Sequence, residues 1–175
     1  LVLATVILWP YLKIPVGKPA VVGPRLTKQQ ALVVLQSLLK NVYRSFDFRQ
    51  ESDVYDKLAI SVSGELLSDI YLQNRKSFAV QRAGGAQAKV TEVKILYVDL
   101  ENDNRRTWSL SLRSKWTAFG TVGHWGHIHG RENLYEALIT IEVMNGVWKI
   151  TGLELLEEKR IDPSAQPTNS KETAE

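Results

Sequence analysis

Hydrophobic and polar residues alternate along the second half of the chain, from Trp108 to Ile150. In the first run, apolar side chains fall on one parity and polar ones on the other, with Phe119 as the exception. A second run, from Tyr135 to Val143, repeats the pattern. A period of two is typical of a β-strand with one buried and one solvated face, so this half of the chain is predicted to form long strands.

The dipeptide Asn145-Gly146 predicts the turn between the last two strands. Both residues tolerate the positive φ that a two-residue hairpin turn requires. Such a turn places Val143 opposite Trp148 and Ile141 opposite Ile150. Because both pairs are apolar, the turn and the alternation predict the same register.

Helical periodicity dominates the first half of the chain. Thr27 and Gln30 have the spacing of a capping box, and an apolar stripe at helical spacing follows as far as Phe46. A second helical stretch begins near Asp53 and is interrupted at Gly64. Helices followed by about four antiparallel strands predict an α+β fold, in which the N-terminal helices pack on a curved sheet.

The first twelve residues are almost wholly apolar. They include Trp9 and Tyr11, and the first charge is Lys13. This order is typical of the end of a transmembrane helix, with these three residues as its anchor at the lipid interface. A buried strand or the core of a signal peptide is the alternative.

Three further segments are predicted beyond this anchor. Residues 13–26 contain several Pro and Gly and are expected to form a linker. Residues 27–160 are predicted to form a single α+β domain. Residues 161–175 are rich in Ser, Pro, Thr and Glu without apolar partners, and a disordered tail is expected there.

Composition narrows the functional classes. The chain has 175 residues, no cysteine and a formal net charge of +3. Disulfides, thiolate metal sites and cysteine catalysis are therefore excluded. No dense basic tract with interleaved aromatic residues is present, so a nucleic-acid partner is not expected. The absence of a specific catalytic motif favours a protein that is not an enzyme.

All three histidines lie within six positions, at His124, His127 and His129. Neutral imidazoles are good ligands for copper or zinc, and Glu132 and Glu136 are candidate fourth ligands. In one extended strand the first histidine would point away from the other two, so a bulge or turn must bring the three together. Alternatively, His124 faces the core like the apolar residues of its strand. His127 and His129 then form hydrogen bonds within the connection to the next strand.

A second cluster combines charges with aromatic residues just after the first helical stripe. It consists of Arg44, Phe46, Asp47, Phe48 and Arg49. Arginine beside aromatic side chains is enriched at protein interfaces, which favours an interaction surface. The alternative is a structural turn that the two phenylalanines anchor while the charges pair internally.

The chain resembles the nuclear-transport-factor-2-like superfamily, and within it a group of uncharacterised bacterial membrane-anchored proteins. The resemblance covers most of the central domain and is carried by the strings Val42–Arg49, Glu51, Tyr55–Asp56, His124–His129 and Trp148–Glu154. It implies a cone-shaped fold in which a bent sheet wraps the helices around a pocket. The superfamily spans enzymes, binding modules and scaffolds, so it does not select a function.

The resemblance also implies residues that would line such a pocket. They are Asp47, Tyr55 and Asp56 on the helices, and Trp108, Trp116 and His124 on the sheet. A carboxyl group desolvated among tryptophans would have a raised pKa suited to proton transfer. Carboxylates near helix ends more often cap backbone amides, however, and aromatic residues at strand period are more often plain core.

Taken together, these features favour a non-catalytic, membrane-anchored domain on the periplasmic, extracytoplasmic side. It would be an accessory or assembly subunit of a membrane protein complex, with lipid and other membrane subunits as its partners. One alternative is a metal-binding domain that holds copper or zinc through the histidine cluster. Another is a small-molecule-binding or catalytic pocket of the superfamily.

Overall fold

The computed structural model describes residues 26–48, 50–82, 87–104, 108–124 and 127–161. Three helices precede four strands within these ranges. The helices are α1 (Lys28–Ser45), α2 (Glu51–Ser61) and α3 (Glu65–Arg82), and the strands are β1 (Gln87–Asn104), β2 (Ser109–His124), β3 (His127–Met144) and β4 (Val147–Ile161). The predicted α+β order of helices followed by about four strands is confirmed.

The four strands form one open antiparallel sheet in the order β1-β2-β3-β4. The predicted register is confirmed, because Val143 pairs with Trp148 and Ile141 with Ile150. The turn between them has positive φ, with Asn145 at 53° and Gly146 at 80°. Three irregularities in the pairing of β1 and two in β4 bend these edge strands, which gives the sheet its curvature.

Helix α1 begins at the predicted capping box. The Thr27 side chain accepts a hydrogen bond from the Gln30 amide, and the Gln30 side chain accepts one from the Thr27 amide. The apolar stripe of this helix then packs on the concave face of the sheet. The resulting core includes Ala31, Leu35, Leu38 and Leu39 from the helix and Val98, Leu112, Trp116, Ala137, Ile139, Ile141 and Ile150 from the sheet.

Two ion pairs fix the direction of α1 along β1. Lys28, at the start of the helix, lies 3.2 Å from Asp99 near the end of the strand. Asp47, just after the helix, lies 3.8 Å from Lys89 near the start of the strand. The helix is therefore antiparallel to β1, and its C-terminus points towards the sheet end where β1 begins.

A glutamine on α1 forms hydrogen bonds with backbone groups on the outer edge of β1. The Gln36 side-chain amide donates to the Val93 carbonyl at 2.6 Å and accepts from the Ile95 amide at 3.1 Å. It thereby replaces a neighbouring strand over one pair of backbone groups, which would otherwise be left unpaired at this edge.

The other two helices attach at the opposite edge of the sheet. Val54, Leu58, Val62 and Leu67 form a second buried cluster. Between α2 and α3 the chain runs briefly beside β4, where Val62 forms a parallel bridge with Ile150. Gly64 has a positive φ of 69° at the predicted interruption between the two helices.

Helix α1 covers only part of the concave face. Helix α1 has 18 residues and is about 27 Å long, whereas a strand of 18 residues such as β1 extends about 60 Å. The helix therefore cannot cover the full length of the strands. We call the end of the sheet where β1 and β3 begin the open end.

Several predicted segments lie outside the described residues. They are the membrane anchor with Trp9, Tyr11 and Lys13, the linker up to residue 25, Arg49 and the tail from residue 162. Among the residues that are described, none of the helices combines the length and apolar character that crossing a membrane requires. The anchor, the linker and the tail stay predictions.

Gly120 allows β1 and β2 to approach closely at an irregularity of the sheet. A Cβ atom there would collide with the Lys89 carbonyl and lie 2.9 Å from the Val90 Cα. We expect Gly120→Ala to lower the free energy of unfolding by about 1–3 kcal/mol, because backbone must move to admit the methyl group. Urea denaturation measures the change.

Gly130→Ala is the matched control for that variant. A Cβ at Gly130 would meet the Phe119 ring at 3.6 Å, which is an ordinary contact. Its free energy of unfolding should stay within about 0.5 kcal/mol of the unmodified chain. Equal losses in the two variants would contradict the close approach at Gly120.

Candidate functional site

The concave face of β3 changes character towards the open end. Along alternate positions it is fully buried and apolar at Ala137, and then becomes polar at Tyr135, Asn133 and Arg131. This change occurs where α1 stops covering the sheet. These polar residues lie on the strand face that elsewhere packs in the core. They indicate that this part of the face contacts something other than the helices.

Side chains on β2 become smaller over the same stretch. The cross-strand pairs are Trp116 with Tyr135, Ala118 with Asn133 and Gly120 with Arg131. The loss of bulk on β2 leaves a groove of about 250 Å³, whose lining also includes Val90, Val122 and Glu158. The groove is open to solvent and lies beyond the end of α1.

A hydrogen-bond network centred on Asn133 orders the polar side of the groove. Its side-chain oxygen accepts from Arg131 Nε at 2.9 Å. Its side-chain nitrogen donates to the Tyr135 hydroxyl and to the Glu158 carboxylate, both at 3.0 Å. Because Asn133 is only 7% exposed, the network fixes the positions of the groups that the groove presents.

Tyr135, which lines the groove, belongs to an aromatic cluster with Trp116 and Tyr43. The Trp116 and Tyr135 rings stack at 5.4 Å between centroids, and Trp116 Nε1 donates to the Tyr43 hydroxyl at 3.2 Å. Burial raises the pKa of Tyr43 to about 12, and it also raises the pKa of Tyr135. Both phenols are therefore neutral at pH 7 and act there as hydrogen-bonding groups.

The pocket that the family resemblance implied is only partly assembled. Trp116 lies beside the groove, stacked on Tyr135. Trp108, in contrast, lies at the opposite end of the sheet, next to the start of β2. Tyr55 and Asp56 are exposed on α2. The two tryptophans are kept apart by the length of β2 that lies between them.

Part of the predicted interaction surface after α1 is structural. Phe46 packs against the second buried cluster, as the structural alternative expected. Asp47 is exposed and makes the ion pair with Lys89 that ties the end of α1 to β1. These two residues therefore help to position the helix.

The other members of that cluster lie on the surface. Arg44 is exposed at the end of α1, and Phe48 is 38% exposed. The Lys57 ammonium lies 5.5 Å from the centroid of the Phe48 ring. Arg49 lies outside the described residues, so the interaction surface stays a prediction.

The histidines lie where β2 ends and β3 begins. His124 is paired with His127 in the register, and the rings of His127 and His129 lie 6.3 Å apart at 26°. The side chain of His124 is not among those described, and no three potential ligands converge within the described part of the chain. Glu132 and Glu136 occupy the other strand parity, so their side chains do not share a face of β3 with those of His127 and His129.

Three leucines are exposed along the outer strand β4. Leu153, Leu155 and Leu156 are 37%, 49% and 42% exposed, and Leu156 lies at an irregularity in the pairing with β3. The strand partners of the first two, Ile139 and Ala137, are fully buried. We call these three residues the leucine edge, and it borders the core directly.

The two outer strands of the sheet are protected to different extents. The edge of β1 receives Gln36 from α1. Within the described ranges, the hydrogen bonds between β4 and the helical half of the chain lie at its beginning, where Ser63 donates to the Ile150 carbonyl and Lys149 donates to the Ala59 carbonyl. The leucine edge follows this contact along β4.

Comparison with known proteins identifies a fold but no family. No protein-family model matches the sequence, and no curated protein is significantly similar to it. The crystal structure of the intermembrane space region of the chloroplast protein ARC6 is similar, with a TM-score of 0.53 and 13% identity over 76% of this chain and 98% of that one. This level of similarity shows a shared fold alone.

A designed protein gives a weaker match. The solution structure of a de novo β-sheet design has a TM-score of 0.36 and 12% identity, and it covers 79% of this chain and 94% of the design. That TM-score is too low to support an inference.

Sequence reasoning missed the groove and the leucine edge. The alternate positions of β3 that face the core lead back from Tyr135 to Asn133 and Arg131. These polar residues on the core face were the sequence signal for the groove. The leucines looked like an ordinary extension of the last strand, since sequence does not reveal which strands are outermost.

The buried Tyr43 predicts a loss of stability at high pH. Its pKa is about 12 in the folded chain and 10.0 in the unfolded chain, so this contribution is complete below pH 10 and is lost as the pH rises towards 12. The loss should be about 2–3 kcal/mol, and Tyr43→Phe should reduce it by that amount. Urea denaturation at several pH values measures the effect.

Tyr55→Phe provides the control, because this tyrosine is 41% exposed and lies outside the groove. It should keep the full alkaline loss of stability. Tyr43→Phe also removes the acceptor of the Trp116 hydrogen bond and should cost about 1 kcal/mol at pH 7. If the free energy of unfolding depended on pH identically in Tyr43→Phe and Tyr55→Phe, the alkaline loss of stability would not come from the buried Tyr43 phenol.

Proposed function

We propose that this chain is a non-catalytic docking domain that is held at a membrane on its extracytoplasmic side. It binds another protein through the leucine edge of β4 and serves as an accessory or assembly subunit of a membrane complex. The exposed leucines of an outer strand, at 37% to 49% exposure, are the observation that supports this proposal.

An outer strand with apolar side chains suits the addition of a partner strand. Such a strand presents unpaired backbone amides and carbonyls, and a partner supplies both hydrogen bonds and apolar contacts. Burying a fully exposed leucine is worth about 1.5–3 kcal/mol. Three partly exposed leucines therefore offer several kcal/mol to an interface.

Paired charges occupy the convex face around Glu136. On the convex face, Arg113 and Lys115 both bind the Glu136 carboxylate, at 2.8 and 3.2 Å. Lys115 also lies 3.5 Å from Glu157 on β4. A partner on that face would have to desolvate paired charges, which is unfavourable.

Tethering would make even a weak contact effective. The predicted anchor and the Pro- and Gly-containing linker would confine the domain close to partners in the same membrane, which raises their effective concentration. The similar ARC6 domain is described as an intermembrane space region, which is consistent with an extracytoplasmic location.

A charge in the leucine edge should abolish docking. The full chain is extracted from its membrane with detergent and isolated, and proteins that accompany it are identified by mass spectrometry. Leu155→Asp should lose the partner that the unmodified chain retains, since a buried, unpaired carboxylate destabilises an interface. The isolated partner is then titrated against each variant to compare dissociation constants.

Leu96→Asp is the matched control, because Leu96 is 51% exposed on β1, at the other edge of the sheet. It should bind the partner like the unmodified chain. The proposal fails if the unmodified chain is isolated alone and free of membrane, or if both aspartate variants bind equally well.

Binding of a small molecule in the groove is a second candidate function. The Asn133 network favours it, because it fixes a phenol, a carboxylate and a guanidinium beside the groove. An arginine held in this way is suited to bind a carboxylate. Every group in the network already pairs with another side chain, which favours binding over proton transfer.

Nuclear magnetic resonance tests the groove directly. A panel of small organic acids is added to the 15N-labelled chain, and we expect saturable shifts at the amides of Gly120 and Val122. Arg131→Gln should weaken them at least about tenfold, whereas Lys94→Gln removes a cation outside the groove and should leave them unchanged. Shifts that do not saturate, or that persist in the first variant, would exclude this function.

A further inference from the structure

We infer that the ligand of the groove is a small α-amino acid with an apolar side chain, bound as a zwitterion. Arg131 binds its carboxylate and Glu158 binds its ammonium group; both residues line the groove. This ligand class rests on the second candidate function, which is the binding of a small molecule at the same site.

Asn133 holds two opposite charges at the two ends of one side-chain amide. Its oxygen accepts from Arg131 Nε at 2.9 Å, and its nitrogen donates to the Glu158 carboxylate at 3.0 Å. At most two hydrogen bonds and the width of one amide group therefore separate Nε from the bonded carboxylate oxygen. Because Asn133 is buried, this arrangement is fixed before a ligand arrives.

Both charged groups keep hydrogen-bonding capacity for a ligand. The Arg131 guanidinium bonds to Asn133 through Nε, and within the described ranges no other residue engages its terminal nitrogens. A carboxylate has several lone pairs, and Glu158 uses only part of them on Asn133 and Tyr135. A ligand carboxylate can therefore meet the guanidinium end-on, while an ammonium group meets Glu158.

Glu158 distinguishes an amino acid from a simple carboxylic acid. A carboxylate bound by Arg131 would lie near the negative charge of Glu158, which repels it. Lys89, which also lines the groove, is engaged by Asp47 at 3.8 Å and does not offset this repulsion. An ammonium group on the same molecule turns the repulsion into an attraction. In an α-amino acid one carbon joins the two ionised groups, which suits the short separation of Arg131 from Glu158.

The rest of the lining sets the size and polarity of the ligand side chain. Val90, Ala118 and Val122 are apolar, and Gly120 contributes no side chain. The groove volume of about 250 Å³ lies below the range of about 300–1,000 Å³ that is typical of pockets for drug-sized ligands. The side chain of the ligand is therefore small and apolar, as in valine.

Titration of the 15N-labelled full chain with L-valine at pH 7 tests the inference. Isovalerate is the matched analogue that lacks the ammonium group, and isobutylamine is the one that lacks the carboxylate. Saturable shifts of the Gly120 and Val122 amides give the dissociation constants. We expect L-valine to bind at least about tenfold more tightly than either analogue, because it alone engages both charges.

Glu158→Gln keeps an acceptor for Asn133 and removes the negative charge. This variant should weaken L-valine binding at least about tenfold without weakening that of isovalerate, whereas Arg131→Gln should weaken both. Glu154→Gln is the matched control, because Glu154 is exposed on the same strand, pairs with Leu138 and lies outside the groove. It should leave both dissociation constants unchanged. Circular dichroism establishes that each variant is folded.

Amino-acid binding and ligand binding in general fail differently in this experiment. If isovalerate binds as tightly as L-valine, the groove still binds carboxylates but the amino-acid class is overturned. The class is also overturned if Glu158→Gln weakens both compounds equally or neither of them. If neither L-valine nor any other organic acid gives saturable shifts, the second candidate function fails as well. Docking through the leucine edge is measured with a protein partner and is tested independently.

Discussion

The difference in length between a helix and a strand with equal numbers of residues governs this structure. Helix α1 and strand β1 both have 18 residues, but the strand extends more than twice as far, because its rise per residue is larger. The apolar stripe of α1 therefore buries only part of the concave face, and polar groups of β3 occupy the remainder. The groove lies among these polar groups, at the open end.

Polar residues in the uncovered part satisfy one another. Asn133 is buried and joins Arg131, Tyr135 and Glu158, so the change from an apolar to a polar face leaves no unpaired amide. No buried side-chain nitrogen or oxygen lacks a partner among the residues whose placement is described. Such a network costs less than an isolated polar group and gives the open end a defined shape.

The two outer strands of the sheet contact different parts of the helical half of the chain. Helix α1 lies beside β1 and supplies Gln36 to its backbone, whereas the α2–α3 connection reaches β4 at Ile150. Beyond that point β4 continues as an outer strand with exposed leucines. The position of the helices thus decides which backbone groups of each outer strand are engaged within the domain.

The sequence by itself determined the local elements. Alternation, the capping box and Asn145-Gly146 depend on neighbouring residues, and each correctly predicted strands, a helix start and a register. Tertiary structure decided which of these elements lie next to each other and where coverage ends. It placed Phe46 in a buried cluster and brought Gln36 to the outer edge of β1. These outcomes depend on strand order and on the relative lengths of packed elements, which no short window of sequence contains.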